Sequence, residues 1–192
     1  MNNPKYAEVN GRRYKINTDF RYALKCNEIA KDETIGERER ALALIYTLFG
    51  EEAMKYTNDY EKLLKIALKY LSRGEEIDDS EEPDMDFIKD YSYIKTSFRS
   101  DYGIKLDEEK MHWYEFMDLM DGLSNSEMGN CCILNRIRNL RNYDTKDIKD
   151  PIELEKILKA KERVSLKKKT LTQEQEESVD NFLREIGLLE RK

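Results

Sequence analysis

NDYEKLLKIALKYLS, residues 58–72, sets Tyr60, Leu63, Leu64, Ala67, Leu68 and Leu71 at the three-and-four spacing of one helical face, with lysines and a glutamate between them. Gly74 follows as a C-cap, because a glycine can take the left-handed conformation that ends a helix. The same reading extends in both directions. Upstream, Gly36 to Phe49 predicts a helix with Leu42, Ile45, Leu48 and Phe49 inward and Gly50 closing it. Before that, Asn17, Thr18 and Asp19 offer N-caps to a helix with Tyr22, Ala23, Cys26, Ile29 and Ala30 on its stripe. The chain begins differently. Lys5 to Ile16, KYAEVNGRRYKI, alternates around Asn10-Gly11, and Asn-Gly accommodates the positive φ angles of a two-residue hairpin turn. A lone hairpin is marginal in water, so this one must lean on helices.

Downstream, Glu75 to Asp86 (EEIDDSEEPDMD) is an acidic run interrupted by Pro83, read as an exposed linker. It divides an N-terminal unit, 1–74, from a C-terminal unit, 87–192, unless the two form one continuous domain. A calcium loop is the sharper reading of those acids, but the alternating oxygen ligands, central glycine and terminal glutamate do not line up. Beyond it, Phe87, Tyr91, Ile94 and Phe98 predict a helix stopped at Tyr102-Gly103, with Ile104 packing back. A further helix is predicted over Asp107 to Leu123, with Trp113, Phe116, Met117 and Met120 as its stripe, Leu119 and Leu123 widening it and Gly122 at its end. Another runs from an Asn125 or Ser126 cap to Asn142 with Ile133, Ile137 and Leu140 inward. Asp150-Pro151-Ile152-Glu153 combines an N-cap, a first-position proline and an early acid, and opens a helix through Ala160 and Val164. Thr172-Gln173-Glu174-Gln175 opens a last one with Val179, Phe182, Leu183 and Ile186. The fold class is mainly α: a bundle of about seven or eight helices with a short N-terminal β-hairpin.

Composition narrows function by exclusion. The chain is 39% hydrophobic and 39% charged, which allows a core and favours long solvated helices. Its net charge of −6 argues against a protein built around phosphate contacts. Three cysteines, two of them vicinal, make a poor disulfide framework and point to a reducing compartment. No apolar run resembles a signal peptide or a membrane span, so a soluble intracellular protein is expected. His112 is the only histidine, which removes two-histidine metal motifs. Cys131 and Cys132 sit in an apolar helical context that suits inert thiols, no glycine-rich phosphate loop is present, and carboxylate pairs are too common here to inform. No catalytic, cofactor or metal residues are assigned, and an enzyme is not expected.

Two surface readings remain. Arg136, Arg138 and Arg141 on one helix, with Lys167 to Lys169 after another, offer a nucleic-acid reading; a solvated helix face and loop is the plainer one. Trp113, Tyr114, Phe116, Met117 and Met120 crowd one helix. Core packing explains such a stripe, yet tryptophan, tyrosine and methionine also line protein-binding grooves. These five, with Phe182 and Ile186 of the last helix, are the partner-binding candidates.

Phe87 to Arg138 carries a more specific pattern: Tyr93-Ile94 and Ser97-Phe98, then Asp101-Tyr102-Gly103-Ile104 and Leu106, Met111-His112-Trp113 with Phe116, Gly122-Leu123-Ser124 and Ile137-Arg138. With Ile16-Asn17-Thr18-Asp19-Phe20-Arg21 near the start, this resembles the tail assembly chaperone family of long-tailed phages and prophages of Gram-positive bacteria, encoded just ahead of the tape-measure gene. Lys105 stands where that family usually has an acid, and Tyr114 where a second tryptophan is common. The resemblance implies a non-catalytic protein of the host cytoplasm that coats the tape-measure protein before tail-tube subunits polymerise around it. Its partners would be the tape-measure protein and the tail-tube protein, with self-association open and neither nucleic acid nor membrane expected. Tyr102, Gly103, Trp113, Phe116 and Gly122 would be structural. A phage nucleic-acid-binding protein and a structural virion component are the rival readings.

Overall fold

The computed structural model describes residues 3–75, 83–125 and 131–166. β1 (Tyr6–Val9) and β2 (Arg12–Lys15) pair antiparallel with Val9 opposite Arg12, so the turn is Asn10-Gly11 alone. Both turn residues have positive φ, 50° and 76°, which matches the right-handed twist of the strands. Ala7, Val9 and Tyr14 face inward, and Tyr6 and Arg13 stack on the outer face with the guanidinium 3.8 Å from the ring centroid.

α1 (Phe20–Ala30) and α2 (Glu37–Phe49) pack against each other. Two short 3-10 turns, Glu51–Lys55 and Thr57–Asp59, lead into α3 (Tyr60–Leu71). The hairpin leans on α3 through one buried carboxylate. Asp59 accepts from the Tyr14 hydroxyl at 2.5 Å, from Asn10 Nδ2 at 2.6 Å and from Arg12 Nη1 at 3.0 Å. Three donors from one hairpin satisfy the oxygens of a group that burial would otherwise penalise. The Tyr14 hydroxyl foremost, with Asn10 and Arg12, holds Asp59 below the usual carboxylate range, while burial opposes the shift.

α4 (Tyr91–Tyr102), α5 (Trp113–Asp121), α6 (Ile133–Asn142) and α7 (Pro151–Arg163) complete the described fold: mainly α, seven helices with the predicted hairpin. The last predicted helix, with Phe182 and Ile186, lies outside the described residues. The buried side chains of both halves, from Ala7 to Leu134, form one hydrophobic cluster.

Local signals located most ends. Asp150 caps α7 by accepting from Ile152 N–H at 2.9 Å, with Pro151 at its first turn. Gly103 takes φ 71°, and its N–H and that of Ile104 bond back to Arg99 and Phe98 carbonyls. α5 corrects the sequence reading. It starts at Trp113, not near Asp107, because the preceding residues pair with the segment before α1: Phe20 N–H bonds Met111 O at 3.0 Å and Trp113 N–H bonds Thr18 O at 2.8 Å. Held extended by that pairing, residues 111 and 112 cannot join the helix. α6 starts at Ile133 with Cys132 as its N-cap, and it buries Leu134 and Asn135 more deeply than Ile133, Ile137 or Leu140. Asn135 Nδ2 is drawn inward by the carbonyls of Leu123 and Ser124, both 3.2 Å away. In α3 Tyr70 is buried and Leu68 is 52% exposed; in α1 Tyr22 is exposed and Leu24 buried.

Candidate partner-binding surface

His112 organises the start of α5. Its Nδ1 accepts from Tyr114 N–H at 3.0 Å and its Nε2 lies 3.1 Å from Pro4 O, so the tautomer protonated on Nε2 satisfies both contacts. The helix then delivers Phe116 into an aromatic cluster. Phe116 stacks on Phe20 at 4.6 Å between centroids, on Phe98 at 5.2 Å and on Trp113 at 5.7 Å. Phe87 meets Trp113 edge-on at 5.8 Å, and Trp113 Nε1–H donates to Leu71 O at 3.1 Å. Aromatic rings prefer such offset and edge contacts, and a buried indole N–H needs an acceptor.

This geometry separates the candidates. Trp113, Phe116 and Met120 are buried, so in this conformation they hold α1, α4 and α5 together and offer no surface to a partner. Tyr114 and Met117 are half-buried at the edge of that cluster, Tyr114 stacking on Tyr70 at 5.3 Å. Tyr102 donates to Leu119 O at 2.9 Å and passes so close to Gly122 that an added Cβ there would meet its hydroxyl at 2.9 Å. The two residues join the ends of α4 and α5, which is why no side chain fits at Gly122 without displacing Tyr102.

The arginines of α6 are engaged with the acids upstream of α4. Arg141 donates to both oxygens of Asp90 at 2.6 and 2.7 Å, to Asp84 O at 2.8 Å and to Val164 O at 2.6 Å. Its side chain is 10% exposed and that of Asp90 1%. Arg138 pairs with Asp84 at 3.0 Å, and Arg136 bonds the Cys131 carbonyl at the same distance. Arg138 and Arg141 thus bind the 84–90 segment to α6 and do not form one exposed basic face. Lys167 to Lys169 lie outside the described residues. Sequence reading passed over Asp59 and Asp90 because each is one acid among many; their only signal is a position just before a helix.

Cys26 and Cys132 are buried, and Cys131 is half-buried. Burial pushes Cys26 up to about 12, and burial with the neighbouring Cys132 raises Cys131. Cys132 Sγ accepts from Asn135 N–H at 3.5 Å as the α6 cap. Among the described residues no group of three His, Cys, Asp or Glu is placed to hold a metal ion, and no helix is long and apolar enough to cross a membrane.

Exposed apolar side chains lie apart from the aromatic cluster. Ile152 and Leu158 are exposed on α7, which buries none of its own residues. Elsewhere, Leu24, Ile88 and Tyr91 line an apolar groove of about 300 Å³ rimmed by Arg21, Lys25 and Glu28. A neighbouring hollow shares Arg21 and Lys25 and adds Tyr22 and Lys110.

The described residues form a helical body with a packed aromatic centre and several small exposed apolar patches. Residues 2–166 match the family described as Bacteriophage Gp15 protein, and the chain belongs to that family. No curated protein and no solved structure matches it.

Proposed function

We propose that this protein is a non-catalytic assembly chaperone that binds and solubilises the tape-measure protein in the host cytoplasm while the phage tail tube is built. Membership of a bacteriophage family over residues 2–166 is the observation that carries the reading, because it narrows a helical binding protein to one acting within a phage programme. The resemblance of Phe87 to Arg138 to tail assembly chaperones supplies the finer role. The surface is compatible with it. Ile88, Leu68, Ile152 and Leu158 are exposed at separate places, which suits several weak contacts along a long helical client better than one tight site. A client that must later yield to the tail tube needs contacts of that reversible kind.

The engagement of Arg138 and Arg141 with Asp84 and Asp90 leaves less basic surface for a nucleic-acid partner. Co-expression with the tape-measure protein of the same phage tests the proposal. The expected result is co-purification and a larger soluble fraction of the tape-measure protein, with the chaperone absent from purified particles. A client that is equally insoluble with and without this chain overturns the proposal, and recovery of the chain from mature particles assigns it to the virion.

A further inference from the structure

The hairpin has one side that the helical body does not use. Ile16 N–H bonds Lys5 O at 2.9 Å, and the register sets Ala7 opposite Tyr14 and Val9 opposite Arg12. In an antiparallel ladder such hydrogen-bonded pairs alternate with pairs whose N–H and C=O groups point away from the partner strand. Tyr6–Lys15 and Glu8–Arg13 are the alternate pairs, so the backbone groups of Arg13 and Lys15 point outward from β2. Among the described residues those groups have no hydrogen-bond partner. β1 is the strand that lies beside α3, which leaves β2 as the open edge. The side chains of that edge are cationic and exposed. Arg13 stacks on Tyr6, with its guanidinium 3.8 Å from the ring centroid, and Glu8 opposite it does not pair with it. Lys15 also lacks a carboxylate partner among the described residues. A guanidinium stacked on a ring keeps its in-plane N–H donors free for carboxylates.

We infer that the β2 edge is a docking site for an extended acidic segment of a partner protein, added as a third strand beside Arg13 and Lys15. The edge offers N–H and C=O groups at every second residue, roughly 7 Å apart, which is the repeat of another extended strand. The two cations then select its sequence. They repel a second copy of β2, whose own Arg13 and Lys15 would face them, and they attract a strand with Asp or Glu at every second position. Because side chains alternate between faces, those acids all fall on the outer face with Arg13 and Lys15. Unpaired cations on an exposed edge speed the encounter as well as fix its register. An edge of two residues makes a short contact, suited to a partner that is held and released. The inference goes beyond the chaperone reading, and its test needs no phage partner.

Backbone amide NMR of the full chain tests it, with an alternating Glu-Thr heptapeptide as the probe. Peptide in millimolar excess should shift the amides of Arg13 and Lys15 and slow their exchange, while that of Tyr14, paired with Ala7 inside the hairpin, keeps its rate. Arg13→Glu/Lys15→Glu should bind this peptide about tenfold more weakly, since two exposed attractions become repulsions, and should bind an alternating Lys-Thr peptide instead. An unchanged urea midpoint shows that the variant folds; if the midpoint falls, the wild-type amides decide the matter by themselves. No protection at Arg13 and Lys15 overturns the inference. So does equal binding of the Glu-Thr peptide N-methylated at alternate residues, because charge alone then holds it. Tighter binding of single-stranded polyuridylate assigns the cations to a nucleic acid. Protection that appears without peptide as the protein concentration rises assigns the edge to a second copy, and either result overturns the inference too.

Discussion

Replacing Arg141 with alanine tests whether the Asp90 pair is a structural element or a surface ornament. The side chain makes four hydrogen bonds of 2.6 to 2.8 Å, two of them to a carboxylate that is 1% exposed. Removing the guanidinium leaves Asp90 with the Asp86 N–H, at 2.9 Å, in a place water does not reach. Breaking a buried pair from one side costs about 3–5 kcal/mol, because the stranded charge keeps its desolvation penalty. The expected loss for Arg141→Ala is therefore about 3–5 kcal/mol. Urea unfolding followed by the fluorescence of Trp113, the single tryptophan and 1% exposed, measures it. Lys159→Ala, which removes an exposed i,i+4 partner of Glu155, is the control and should cost under about 0.5 kcal/mol. A loss below about 1 kcal/mol for Arg141→Ala refutes the argument. The double variant Asp90→Asn/Arg141→Met should recover much of the loss, since no charge is then stranded.

Phe116→Ala empties the centre of the aromatic cluster and should cost about 3–5 kcal/mol, seen as a large fall in the thermal midpoint. Gly103→Ala forces a Cβ into a φ of 71° and should cost about 1–2 kcal/mol in urea unfolding, although nothing crowds the position. Tyr14→Phe alters the acid limb of the stability curve. Asp59 has a depressed folded pKa, so its contribution is present above its unfolded value of about 3.9 and is lost as pH falls through the lower folded value. Without the Tyr14 hydroxyl the depression lessens, so urea midpoints between pH 5 and pH 2.5 should fall less steeply than in wild type. An unchanged slope counts against Tyr14 as the main cause. Alkaline titration of tyrosine absorbance should lose its component near pH 12 in the same variant, since burial first and Asp59 second hold Tyr14 up to about 12.

What was legible in the sequence was what neighbours in the chain decide. Asp150-Pro151 starts α7 and Gly103 ends α4 because capping chemistry and a left-handed glycine act within a few residues. The turn at Asn10-Gly11 is of the same kind. The start of α5 was not legible, because it is set by backbone pairing between residues 18–20 and 111–113, far apart in the chain. The inward face of α6 escaped for a related reason: Asn135 reads as a surface residue until the Leu123 and Ser124 carbonyls are brought beside it. Asp59 and Asp90 look like their many neighbours until the fold supplies Tyr14 and Arg141.

The same distinction governs where a partner can be held. Tryptophan, phenylalanine and methionine on α5 have the composition of a binding groove and the burial of a core, and in this protein burial decides their immediate role. Among the described residues the exposed apolar side chains include Leu68 on α3, Ile88 beside Tyr91, and Ile152 with Leu158 on α7, with Tyr114 and Met117 half-buried at the edge of the cluster. On the proposed chaperone reading, no one of these patches is a tight site, and strength comes from using several at once along one client. The charge distribution acts in the same direction. Residues 76–82 hold five carboxylates and no cation, and Glu127 adds another, which together equal the whole net charge of −6. The remaining sequence balances its own charges, and on the proposed reading apolar fit then does more of the selecting than net charge. A client bound in that way should stay bound through a rise in salt from 0.05 to 0.5 M, whereas a nucleic acid held by phosphate contacts would be released. A salt-sensitive complex would move the weight of the argument from the apolar patches back to the lysines and arginines.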